Sequence, residues 1–292
     1  MKEEESKVRF IVPVFMIIFI LSSCSAPEKR AGGQMLKEAN KRIETGIKEY
    51  KKQSFLGAEK NFYWALDSYI LLDNREGQAS AFLSLGTLYL TQGKMKEAFS
   101  MFKKALDISV ELNNQPLRID ALSSLAGLYL LTEELSKAKE AISQGLKMAK
   151  KTRLIRRKAT LLNHLGNLKI KEGDPIEAEK ILHESLSLNE DIGNKEGKSA
   201  NYFNMGLVNL KKENHKQAGS YFKKALTLDK HLEKPGLIAR DLEKLGDVTE
   251  ITGQKKKAFL YYERSLLIYQ QLNDNKGLKR VSQKIDDIRK QN

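Results

Sequence analysis

Few side chains in this sequence belong to the types that perform covalent chemistry, and their spacing argues against catalysis. The four histidines, His164, His183, His215 and His231, are too scattered for paired metal ligands such as H-E-x-x-H. No phosphate-cradling glycine loop and no G-x-S-x-G nucleophile elbow occurs. Asp286 and Asp287 form a carboxylate pair, yet polar neighbours mark them as a solvated helix face. The chain therefore reads as a binding protein that needs no catalytic group, metal or cofactor. One reactive group is left to explain: the single cysteine, Cys24, in the stretch Leu21-Ser22-Ser23-Cys24-Ser25.

Every residue from Phe10 to Leu21 is apolar, a run well short of the about 20 residues that a membrane-spanning helix needs. Its length fits the core of a secretory signal, ~7 to 15 apolar residues followed by small residues at a cleavage point. Ser22 and Ser23 supply those. Leu21-Ser22-Ser23-Cys24 resembles the lipobox of bacterial lipoproteins. That resemblance implies a diacylglyceryl group on the Cys24 thiol, removal of residues 1–23 as a signal peptide, and a lipid anchor in the membrane. Lys2, Lys7 and Arg9 are balanced by Glu3, Glu4 and Glu5, a departure from the positive start that export signals carry. The alternative is an uncleaved signal anchor with a structural thiol. Residues 24–33, which include "SAPEKRAGG", combine proline, charge and a glycine pair and are expected to form an irregular tether.

The remainder, residues 34–292, repeats itself with a period of 40. Alanine recurs at Ala58, Ala98, Ala138, Ala178, Ala218 and Ala258. Four residues after each comes a large apolar side chain: Phe62, Phe102, Ile142, Leu182, Phe222 and Tyr262. Leucine follows eight residues after each alanine, at Leu66, Leu106, Leu146, Leu186, Leu226 and Leu266. These spacings share one helical face. Twelve residues before each alanine lies a small residue, Gly46, Gly86, Ala126, Gly166, Gly206 or Gly246, within a preceding helix. Between the two helices a glycine marks a turn at Gly93, Gly173 and Gly253. Gln53, Glu133 and Glu213 stand there in the other units, so those turns are expected to be built differently.

The pattern resembles the tetratricopeptide repeat, with Leu85, Gly86 and Tyr89 in a helix A and Ala98, Phe102 and Ala105 in a helix B. The period of 40 exceeds the usual ~34 residues and is similar to a lengthened variety of the repeat. The resemblance implies an all-α, right-handed solenoid of six helix-turn-helix units, with "NKGLKRVSQKIDDIRKQN" as a C-terminal capping helix. The first unit, with Thr45 and Glu49 at usually apolar places, suits a terminal repeat.

The same resemblance implies binding of a peptide or partner helix in a concave groove lined by helix A. Candidates in the fourth unit are Asn163, His164, Asn167 and Lys171. In the fifth they are Phe203, Asn204, Leu207 and Lys211, and in the sixth Glu243, Lys244, Asp247 and Glu250. The mixture of amides, cations and carboxylates suits side-chain hydrogen bonding to an extended peptide. A clamp for a chaperone C-terminal carboxylate is not supported, because Asn163 and Asn167 lack the matching lysine.

The formal net charge is +14, and the densest cluster is Lys150, Lys151, Arg153, Arg156, Arg157 and Lys158, between the third and fourth units. No aromatic residue interleaves it, so nucleic acid is not the expected partner. Lipid head groups, cell-wall polymers or an acidic protein suit an exported chain better. Two functions are consistent with these features. One is a lipid-anchored scaffold of the bacterial cell envelope, on the outer membrane or the outer face of the cytoplasmic membrane, helping to assemble a complex such as a pilus or secretion channel. The other is a membrane-anchored or cytoplasmic peptide-responsive regulator.

Overall fold

The computed structural model describes residues 25–150 and 154–290. Cys24 and the apolar run before it lie outside the described residues, as do Lys151 and Arg153. The described residues contain thirteen α-helices and no strand: α1 Ser25–Lys51, α2 Phe55–Leu71, α3 Arg75–Thr91, α4 Met95–Glu111, α5 Gln115–Leu131, α6 Leu135–Ala149, α7 Ile155–Glu172, α8 Pro175–Asp191, α9 Lys195–Lys211, α10 His215–His231, α11 Pro235–Ile251, α12 Lys255–Gln271 and α13 Asn275–Lys290. Odd-numbered helices from α1 to α11 are the A helices of six units, even-numbered helices the B helices, and α13 the cap.

Several starts are written locally in the sequence. Asn74, Asn114 and Asp174 accept hydrogen bonds from the backbone N–H groups of Gly77, Leu117 and Glu177 (2.8, 3.1 and 3.1 Å), satisfying donors that the first turn leaves free. Beyond α1, three helices carry proline in the first turn, where no N–H is needed: Pro116 in α5, Pro175 in α8 and Pro235 in α11.

Among the described residues, every helix except α6 and α13 is followed by a residue of positive φ. Glu213 N–H donates to the Leu210 carbonyl (3.0 Å) and Asn214 N–H to the Asn209 carbonyl (2.8 Å), the paired bonds of a Schellman turn. Gly93 and Lys94 repeat them onto Leu90 and Tyr89. The expectation of differently built turns is thus corrected: Gln53, Glu133 and Glu213 take φ of 63°, 62° and 59°, beside 74°, 83° and 76° at Gly93, Gly173 and Gly253. Gln53 and Glu213 carry both bonds of the pair, and the turn at Glu133 carries the longer one, from Glu134 N–H to the Tyr129 carbonyl (2.9 Å); these bonds hold the three residues in the left-handed region at a cost of roughly 1–2 kcal/mol each. The turns between units, at Asp73, Asn113, Gly193, Glu233 and Asn273, are left-handed as well.

The core follows the sequence register. A methyl added at Gly86 would lie 2.4 Å from Cε1 of Phe102, and one at Gly206 would lie 2.5 Å from Cε1 of Phe222. Each glycine of this A-helix series therefore lets an aromatic or branched B-helix side chain lie flat on the backbone. Phe102, Phe222 and Tyr262 are at most 1% exposed.

The irregular tether is also corrected, since α1 runs back to Ser25 through residues 25–33. Pro27 falls in its first turn, where proline is compatible with a helix. Gly32 and Gly33 weaken a helix by roughly 1 kcal/mol each relative to alanine without terminating it.

Successive A helices touch one another from α1 to α9, whereas the described contacts of each B helix are with its A-helix neighbours. Closer approach along one side curves the stack, so the A helices line the concave face.

Candidate functional site

The fourth and fifth units place four of the expected groove residues together. The Asn204 side-chain amide donates to Oδ1 of Asn163 (2.9 Å), joining α9 to α7. The Nδ2 of Asn163 is buried and has no hydrogen-bond partner among the described residues. Asn167, one turn further along α7, is half-buried. His164 packs towards Gly127 of α5, whose added methyl would meet its Cε1 at 3.4 Å. Burial pushes the His164 imidazole down to about 4, so it is neutral at physiological pH.

The other expected groove residues differ in their surroundings. Lys171 pairs with Glu133 at the turn after α5, and Lys211 lies exposed at the end of α9. Phe203 is covered by the Arg240 guanidinium, 3.5 Å from the ring centroid, and Leu207 remains half-buried. Asp247 is not offered to a ligand as expected, because its carboxylate accepts from Lys244 (2.7 Å), Lys284 (2.6 Å) and Tyr262 (2.9 Å). The single O–H of Tyr262 is shared between Asp247 and Glu250 (2.8 Å).

Glu243 is 3% exposed and takes two bonds from Arg280 (both 2.7 Å) and one from Lys284 (2.8 Å). Burial alone would raise this carboxyl, but the bonds from Arg280 and Lys284 outweigh it and hold it at about 2. The sixth-unit part of the groove is therefore filled by an ionic network that docks α13.

The basic cluster separates once α7 forms. Lys150 caps α6 and is exposed. Arg157 makes a two-pronged contact with Asp120 (both 2.7 Å), and Lys158 donates to Glu184 of α8 (2.8 Å). With Thr160, Arg156 and Arg157 face Asp120, Ser123 and Ser124 of α5 across a cavity of about 300 Å³.

Two buried polar junctions escaped sequence reasoning. Asn189 of α8 donates to Asn201 of α9 (2.8 Å). One repeat later, Asp229 of α10 and Asp241 of α11 occupy the same places, both fully buried. Ser199 donates to Asp229 (2.6 Å), while three of the four carboxyl oxygens have no hydrogen-bond partner among the described residues. Burial pushes Asp241 up to about 8, with Arg240 opposing and Asp229 adding to the shift. The signal was available: both pairs are twelve residues apart and one period of 40 from each other.

No group of three His, Cys, Asp or Glu side chains among the described residues is arranged to hold a metal. None of the described helices is long and apolar enough to cross a membrane.

The tetratricopeptide repeat profile matches residues 77–151 and 157–231, just over half of the chain. The protein belongs to the tetratricopeptide repeat family. Its fold is that of a protein–protein interaction scaffold, and no catalytic family is indicated. A comparison with curated proteins gives no match. Among solved structures, a Rap protein complexed with competence and sporulation factor is similar over 87% of this chain and 75% of its own, at 15% identity and a TM-score of 0.63. The apo form of RapI is similar over 87% and 98% (15% identity, TM-score 0.61). BtubC from P. vanneervenii is similar over 82% and 92% (19% identity, TM-score 0.53). At these identities the likeness is one of fold.

Proposed function

We propose that this protein is a lipid-anchored scaffold of the bacterial cell envelope that holds an extended peptide segment of a partner protein in its concave groove. One observation carries the groove: the buried Asn163 Nδ2 lacks a partner while its Oδ1 is fixed by Asn204. An unmet buried donor costs roughly 1–3 kcal/mol, and a peptide carbonyl would satisfy it once a shift of the Asn163 side chain opens it to the groove. Asn167 beside it can bond the same strand. The solved Rap complex with competence and sporulation factor supports ligand capture by a similar solenoid.

The anchor rests on Leu21-Ser22-Ser23-Cys24 after its apolar run. The acyl chains hold the membrane, α1 begins directly after the anchor, and the solenoid presents its groove to a partner of an assembly such as a pilus or secretion channel. Asn163→Ala and Asn204→Ala variants, purified from detergent-solubilised membranes with unchanged circular dichroism, are expected to lose the co-purifying partner. Undiminished recovery would place binding on another face. Palmitate-analogue labelling is expected to vanish in Cys24→Ala; label retained by that variant would favour a regulator held by an uncleaved anchor.

A further inference from the structure

We propose that the cavity between α5 and α7 receives an acidic side chain of the peptide bound on Asn163, a step that rests on the groove reading above. The cavity is lined by Asp120, Ser123 and Ser124 on one side and by Arg156, Arg157 and Thr160 on the other. Two guanidiniums face one carboxylate, which leaves one positive charge unbalanced. Arg157 spends Nε and Nη2 on Asp120, so Nη1 keeps its two N–H groups for a ligand. Arg156 forms no ion pair among the described residues, and its side chain is exposed on the cavity wall.

The hydroxyls are not equivalent. Ser124 donates to the Asp120 carbonyl (3.0 Å) and Thr160 to the Arg156 carbonyl (3.1 Å). Ser123 has no such bond among the described residues and can donate outward. Donors from Arg156, Arg157 and Ser123 thus converge on a place that wants an acceptor-only group of charge about −1, which a carboxylate is. A phosphate brings about −1.5 to −2 and would over-neutralise the site. The cavity wall carries no aromatic ring for a base to stack on.

Spacing ties the cavity to the groove. Arg156 and Asn163 are seven residues apart on α7, about 10 Å at 1.5 Å per residue, which an extended peptide spans in about three residues. The acid is therefore expected about three positions from the residue whose carbonyl meets Asn163. Arg156 is the second residue of α7, ten residues before Gly166.

The test uses the full chain in detergent micelles and fluorescein-labelled octapeptide pools, each with one position fixed as Glu, Gln or Lys and the others randomised. Each pool is made as free acid and as C-terminal amide, and binding is read by anisotropy. At one position the Glu pool is expected to bind about tenfold tighter than the Gln pool, as a charged hydrogen bond does over a neutral one. That preference should survive amidation, fall with salt and disappear in Arg156→Gln, while Asn163→Ala weakens Glu and Gln pools alike. Equal Glu and Gln binding, or a preference retained by Arg156→Gln, overturns the proposal and leaves the groove standing. A preference lost on amidation overturns it in favour of a terminal carboxylate. If no pool binds, the groove reading falls and takes this inference with it.

Discussion

Two junctions in the solenoid solve one packing problem with different chemistry. Between α8 and α9 the facing pair is Asn189 and Asn201; between α10 and α11 it is Asp229 and Asp241. In the first, Asn189 donates to Asn201 and to the Ser185 carbonyl (2.8 and 3.1 Å), and Asn194 donates to Asn189 (2.6 Å). An amide carries its donor at every pH. A carboxyl carries one only while protonated, and Asp241, pushed up to about 8 by burial, keeps its proton at neutral pH. Ser199, Arg240 and Lys234 face this pair and favour its charged form, without outweighing burial. The difference makes one junction indifferent to pH and the other dependent on it. A folded acid whose pKa is raised keeps its proton after the unfolded chain has released it. Stability is therefore lost as pH rises from about 4 to about 8.

The largest expected effect comes from making the amide junction acidic. Asn201→Asp places a carboxylate opposite Asn189 with no cation to meet it, and a buried uncompensated charge costs roughly 3–5 kcal/mol. Thermal melts at pH 8 should show a fall of about 10 °C, shrinking towards pH 5; equal loss at both values would refute the electrostatic account. The converse, Asp241→Asn, should raise the melting temperature at pH 8 by several degrees and leave it unchanged near pH 4. Urea titrations at pH 4, 6 and 8 check whether the slope has gone.

Smaller losses are expected from the supporting bonds. Ser199→Ala removes the hydroxyl that meets Asp229 and should lower stability by roughly 1–3 kcal/mol, more at pH 8 than at pH 5 because the lost bond serves a charged acceptor. Asn194→Ala leaves Oδ1 of Asn189 unmet, for about 1 kcal/mol, with no dependence on pH between 5 and 8. A pH-dependent loss from Asn194→Ala would blur the distinction between the junctions.

The period of 40 made the solenoid readable, because it pairs a small residue such as Gly86 with a large one such as Phe102, and that pairing is local in the repeat. What it hides is whatever the repeat does not conserve in type. Asn163 and Asn204 stand on neighbouring A helices, and their mutual bond depends on the spacing of successive A helices, a property of the whole stack. Arg157 and Asp120 are likewise 37 residues apart and meet only because α7 packs beside α5. The turns misled in the opposite direction: side-chain identity suggested two designs, while the backbone bonds of the Schellman turn impose one. Residues 25–33 misled because their proline lies where a helix accepts it.

The left-handed turn residues from Gln53 to Asn273 fall at multiples of twenty positions, within units and between them alike. Backbone punctuation therefore repeats at half the interval of the side-chain pattern. Insertion or deletion of forty residues would keep every later helix on its own side of the curve. A change of twenty would preserve each turn yet exchange inner for outer helices downstream, turning the concave surface inside out without altering a single residue of it.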